Sequence, residues 1–156
     1  MKRFAVVGLV LFAACGGNDN PVAPTSPSPL PQAALVVTVN AQAVVAGAEP
    51  GTHLAPWDVV IRETAGVGGA VNLVSATIRD ADSGQAAKGS PLILDGGSVA
   101  ARAGSNRVAG GGSLTVSESV QFSLDSGNKT IVISVAVQFA DDNGHLVTGT
   151  GQATTQ

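Results

Sequence analysis

The chain has no tyrosine, one tryptophan, four phenylalanines and a single cysteine among its 156 residues. One cysteine excludes an intradomain disulfide, so any fold must stand on its apolar core alone. With aromatics at 3%, Val, Ile, Leu and Ala have to fill that core, and branched Val and Ile pack well on the pleated surface of a strand. Charge is sparse too. Eight Lys and Arg against eleven Asp and Glu leave a net charge of −3. Without a basic patch to neutralise phosphates, nucleic acid is not an expected partner. There is no H-E-x-x-H and no cysteine cluster, so zinc lacks its usual ligands. No stretch sustains a helical period, and no apolar run reaches the roughly 20 residues of a membrane-spanning helix.

What is present begins at the N-terminus. Lys2 and Arg3 precede an apolar run from Phe4 to Ala14, and Cys15, Gly16 and Gly17 follow. A basic start, a short apolar stretch and small residues beyond it form the anatomy of a secretory signal. The Ala13-Ala14-Cys15 junction resembles that of bacterial lipoprotein signals, with Phe12 where Leu is usual. The resemblance implies cleavage before Cys15, lipidation of that cysteine and a membrane tether. By Gram-negative sorting rules Gly16 implies the outer membrane. The alternative is ordinary signal-peptidase cleavage around Ala14-Cys15-Gly16, which discards Cys15 and frees the domain. Loss of the signal removes Lys2 and Arg3 and takes the net charge to −5.

Residues 16–32 carry Pro21, Pro24, Pro27, Pro29 and Pro31 among Ser, Thr and Asn. Proline fixes φ and lacks an amide donor, so neither helix nor central strand is expected there. An extended tether of roughly 50 Å follows from about 3.1 Å per residue. The expected organisation is a signal peptide over 1–14, a lipidated cysteine and linker over 15–32, and one domain over 33–156.

From Ala34 onward the pattern changes to period two. Strands are expected at Leu35 to Val39, Trp57 to Thr64, Val71 to Asp80, Pro91 to Leu94, Leu114 to Leu124, Ile131 to Phe139 and Leu146 to Thr154. Asp80 to Gly84, Asp125 to Asn128 and Asp141-Asp142-Asn143-Gly144 read as turns. Residues 98–112 are expected to be irregular, with Arg102 and Arg107 exposed, and residues 41–56 read equally as strand or loop. About seven short strands in some 120 residues point to an all-β fold, a single antiparallel two-sheet sandwich. The Trp57-to-Thr64 strand, the Gly66-Val67-Gly68 loop and the hairpin at Asp141 to Gly144 resemble immunoglobulin-like and fibronectin-type-III-like domains of exported bacterial proteins. Lacking a disulfide and a tyrosine corner, the chain resembles their disulfide-free branch.

The candidates for chemistry are few. Ser126-Gly127-Asn128-Lys129 matches S-x-x-K, but the S-D-N and K-T-G partners of penicillin-recognising enzymes are missing. His53 and His145 are the only imidazoles, and both fall in expected loops. Asp80 and Asp82 open like a calcium loop, to which Asp141 and Asp142 could add oxygens if the two turns share an end of the sandwich. Trp57, Phe122 and Phe139 sit on apolar faces and read as core rather than as sugar-stacking platforms. Glu118 falls on the apolar face of its strand and needs a bulge, an edge position, or a partner such as Arg62 or Arg79. The flat Ser- and Thr-rich face of residues 113–123 reads as a solvated sheet face or an edge open to strand addition. The functional expectation is a monomeric, non-enzymatic, lipid-anchored envelope module without cofactor or metal. It would bind an envelope protein or polysaccharide, or act as a spacer. The alternative is a small envelope enzyme or calcium-dependent module using His53, His145, Asp80 and Asp141.

Overall fold

A computed structural model describes residues 28–125 and 129–156. Cys15, the signal segment and residues 126–128 of the S-x-x-K stretch lie outside the described residues. The elements in chain order are β1 (Leu35–Ala41), β2 (Val45–Ala46), β3 (His53–Glu63), β4 (Gly69–Asp80), β5 (Leu92–Asp95), α1 (Gly96–Ala103), β6 (Arg107–Val108), β7 (Ser113–Phe122), β8 (Ile131–Asp141) and β9 (Leu146–Thr155). Every strand pairing is antiparallel.

In the first sheet β3 is central, with β7 along one side and β1 then β2 along the other. The second sheet runs β5-β4-β8-β9, with β6 beside the start of β4. The chain is therefore an all-β antiparallel sandwich, as its alternation predicts. The period-two pattern is visible in burial: Ile131, Ile133, Val135, Val137 and Phe139 of β8 are all buried. They share one core with Trp57, Val59 and Ile61 of β3. Trp57, Phe122 and Phe139 are among the largest fully buried side chains, which settles them as core. Residues 41–56 divide between the end of β1, the short β2 and a turn that returns into β3. In that turn the Thr52 amide donates to the Glu49 carbonyl at 3.0 Å.

Two expectations need correction. Part of the supposedly irregular stretch is the helix α1. Asp95 caps it by accepting from the Ser98 amide at 2.7 Å, and Gly104 ends it with φ of 78°. An Asp N-cap and a left-handed glycine are ordinary helix signals. With only eight residues, two of them glycine, the helix offers too few turns to show a period. Glu118 does not sit at a bulge, because the β3–β7 register runs unbroken through Trp57 and Glu118; it sits at an edge, the other position expected for it, since β7 pairs among the strands with β3 alone. Its partner is neither Arg62 nor Arg79 but Arg102, carried to it by α1. Helix and ion pair together close the side of the sandwich between β5 and β7. Arg102 and Arg107 both stay exposed, as expected, and Arg107 pairs with Asp142.

The other side closes differently. β1 and β9 come together without pairing, and Gly149 and Gly151 make the approach possible. A Cβ on Gly151 would lie 2.5 Å from the Val37 carbonyl oxygen, and one on Gly149 2.7 Å from Val37 Cγ2. At the end of β9, Thr155 Oγ1 donates to the Gln42 carbonyl at 2.6 Å. Replacing Gly151 by Val should push β1 off β9 and destabilise the domain by about 2 kcal/mol, the usual scale of overpacking. Urea unfolding of the variant beside the parent chain measures it.

Candidate functional site

The β4–β8 register sets Gly69 opposite Asp141 and Asp80 opposite Ile131, which defines two ends of the sandwich. Glu63, Asp141 and His145 gather at one end, where the N-terminal segment joins. His53 and Asp80 lie at the other.

Glu63 is fully buried on the inner face of β3. Its Oε1 accepts from the amides of Ala34 at 3.1 Å and Ala65 at 2.7 Å. Its Oε2 accepts from those of Gly66 and Gly111, both at 2.8 Å. Burial pushes the carboxyl pKa up, but the Gly111, Ala34, Ala65 and Gly66 amides outweigh it and hold the group at about 2. Asp141, the last residue of β8, is also buried. Its Oδ2 accepts from the Ala33 amide and faces His145 Nδ1, each at 3.0 Å. Its Oδ1 accepts from the amides of Asn143 at 3.0 Å and His145 at 2.8 Å. Here too burial raises the pKa, and the Ala33 and His145 amides with the His145 ring bring it down to about 2. An ionised carboxylate only accepts, so Nδ1 of His145 carries the proton in this contact. Four donors meet each carboxylate, which has about four lone-pair sites. Neither group has an acceptor left for a substrate or a metal, and both act by holding backbone.

The remaining candidates do not converge. Asp80 and Asp82 stand at the opposite end from Asp141 and Asp142, roughly 35 Å along β4 at about 3.3 Å per residue, so the four cannot share one ion. Asp80 Oδ1 accepts from the Asp82 and Ser83 amides at 2.8 and 3.0 Å, the bonding of a turn aspartate. His53 rests near Phe122, ring centroids 5.6 Å apart, far from His145. Among the described residues, no three His, Cys, Asp or Glu side chains gather as a metal site. β7 is an edge strand with β3 on one side. Lys88 bridges its end through two backbone bonds with Ser123 at 3.0 and 3.2 Å, and α1 lies alongside.

The sequence reading missed Glu63 and the holding role of Asp141, although a signal was there. Glu63 continues the inward parity of Trp57, Val59 and Ile61, and Asp141 continues that of Ile131 to Phe139. A charged residue on an inward position just before a glycine loop marks a carboxylate that receives loop amides.

Among the described residues a shallow trough of about 440 Å³ lies on the outer face of β4, β8 and β9. Cross-strand rows Ser75-Ala136-Thr150 and Thr77-Ser134-Gln152 line it. It offers hydroxyls and one amide, with no charge and no aromatic ring.

Both clamping carboxylates have a lower pKa folded than their ordinary values of 4.5 and 3.8, so the folded state binds fewer protons. Their stabilisation is complete above about pH 5 and is lost as the pH falls towards 2. Thermal melts from pH 7 to 2.5 should show a steep acid limb. Glu63→Gln, which replaces one carboxylate oxygen by an NH2 facing two of the four amide donors, should lower Tm at pH 7 by about 10 °C and flatten that limb.

No family model matches the chain, and no curated protein matches it. Thirteen solved chains match it in structure. One, from Bordetella pertussis and provisionally designated ApaA, superimposes with a TM-score of 0.59 at 12% identity, covering 81% of this chain and 96% of its own. Another, described as Northeast Structural Genomics Consortium target SoR45, gives a TM-score of 0.57 at 10% identity, covering 79% of this chain and 85% of its own. At such identity the likeness is one of fold alone.

Proposed function

We propose that this chain is an exported lipoprotein, cut before Cys15 and acylated there, whose residues 15–32 tether a non-enzymatic immunoglobulin-like domain to the cell envelope. In a Gram-negative cell, Gly16 would direct it to the outer membrane. The domain works as a monomeric binding module or spacer. Its partner is a second envelope protein or a polysaccharide.

The observation that carries this reading is the seam at Ala33 and Ala34, where Asp141 and Glu63 fix the end of the linker to the sandwich. Such an attachment suits a chain held from its N-terminal side. The immunoglobulin-like assignment draws support from the strand order, β1-β3-β7 against β5-β4-β8-β9. The non-enzymatic assignment draws support from His53 and His145 lying at opposite ends and from the full occupancy of both buried carboxylates. The trough favours a neutral, hydroxyl-bearing ligand over an ionic one, since a charge placed there would lose water and meet no counter-charge.

The test is the intact mass of the protein recovered from membranes, beside a Cys15→Ser variant. The expected species starts at Cys15 and carries acyl mass, and the variant leaves the membrane fraction. A soluble, unacylated chain cut after Gly16 would overturn the anchor.

A further inference from the structure

Asp141 holds the end of the linker, and the turn that follows holds Asp141. The amides of Asn143 and His145 supply two of the four donors to its carboxylate, the others being the Ala33 amide and the His145 ring. Asn143 also reaches the linker directly, its Nδ2 donating to the Pro31 carbonyl at 2.6 Å. The next residue, Gly144, is exposed, with φ of 88° and its amide donating to the Asp141 carbonyl at 3.0 Å. Of the asparagines in the chain, Asn143 alone precedes a glycine. With no Cβ beside it, a glycine nitrogen approaches the preceding side-chain amide more freely than that of any other residue.

We infer that Asn143 is a deamidation site whose modification releases the linker from the sandwich. The Gly144 nitrogen bonds to Asn143 Cγ as it gives up its proton. The Cγ–Nδ2 bond breaks, and Nδ2 leaves with that proton as ammonia, closing a cyclic imide. Water then adds to one of the two ring carbonyls and opens its C–N bond. Opening at Cγ leaves aspartate. Opening at the main-chain carbonyl leaves isoaspartate, whose backbone runs through Cβ and Cγ to Gly144.

Both products undo the seam. An ionised carboxylate only accepts, so aspartate at this position loses the bond to Pro31 and sets a negative charge against that carbonyl, beside Asp142 and the buried Asp141. Isoaspartate goes further. Its extra backbone carbon falls between the Asn143 and His145 amides, which now converge on Asp141 Oδ1 at 3.0 and 2.8 Å, and drives them apart. A buried carboxylate stripped of donors is costly, so Asp141 turns toward water and lets go of Ala33. The intact seam restrains the reaction in return. Nδ2 has to leave Pro31, and the Gly144 amide has to leave Asp141, before the ring can close. A docked linker thus slows the step that a loosened linker permits, and the loss of ammonia makes the change run one way. The inference rests on the seam alone and is independent of acylation at Cys15.

The test incubates the purified full chain at mildly alkaline pH and follows it by peptide mass spectrometry. The peptide holding Asn143 should gain one mass unit before any other asparagine peptide does, in aspartyl and isoaspartyl forms. In the separated isoaspartyl chain the Ala33 amide should exchange its hydrogen at least about tenfold faster than in the parent, while mid-strand amides of β4 and β8 keep the parent's rates. Asn143→Asp should give a smaller increase at Ala33. Ala33→Pro, which removes the amide that Asp141 holds, should speed conversion at Asn143 several-fold, and conversion confined to Asn143 in that variant excludes general unfolding. An Asn143 that outlasts the other asparagines overturns the site. An isoaspartyl chain with Ala33 as protected as in the parent overturns the release. Equal conversion in the parent and in Ala33→Pro overturns the restraint.

Discussion

Two carboxylates, one from each sheet, grip adjacent backbone amides. Glu63 belongs to β3 and takes the Ala34 amide, while Asp141 belongs to β8 and takes the Ala33 amide. Much of this end of the molecule depends on that grip. Glu63 also gathers the β3–β4 loop at Ala65 and Gly66 and the approach to β7 at Gly111, so three segments distant in sequence meet on one side chain. Buried charge is normally costly, and here the cost is offset by saturating each carboxylate with donors. In a chain with no disulfide and hardly any aromatic ring, this polar knot takes over the locking that a cross-link or large core side chains would otherwise provide.

The sides of the sandwich are sealed by two unrelated devices. Between β5 and β7 a short helix carries Arg102 to Glu118, an acid that would otherwise face the core alone. Between β1 and β9 the seal is an absence of side chains at Gly149 and Gly151. The trough, by contrast, lies on the open face of the second sheet. The structure thus keeps its charged bonding at ends and edges and leaves broad faces of small, neutral residues.

The strands were legible because branched residues alternate with polar ones over seven to twelve residues, as from Ile131 to Phe139. The aromatic core was legible for the same reason. The helix α1 was not, because eight residues beginning with two glycines produce no period. The partner of Glu118 was hidden because Arg102 reaches it only through that helix. Glu63 was readable in parity but reads as a strand end until the amides of Gly66 and Gly111 are seen to converge on it. No amount of periodicity reveals which distant loops fold back upon one residue.

The close fit of β1 against β9 bears on crowding. Exposed strand edges recruit other chains into extended sheets, and natural proteins guard against this with short, covered or interrupted edges. Here the two long outer strands shield one another, and the remaining edge of the second sheet is limited to the four residues of β5 and the two of β6. Copies of a chain held at high local concentration meet one another far more often than in dilute solution. For a domain lacking strong charge repulsion, the two glycines of β9 would then act as an aggregation guard that keeps neighbouring copies apart.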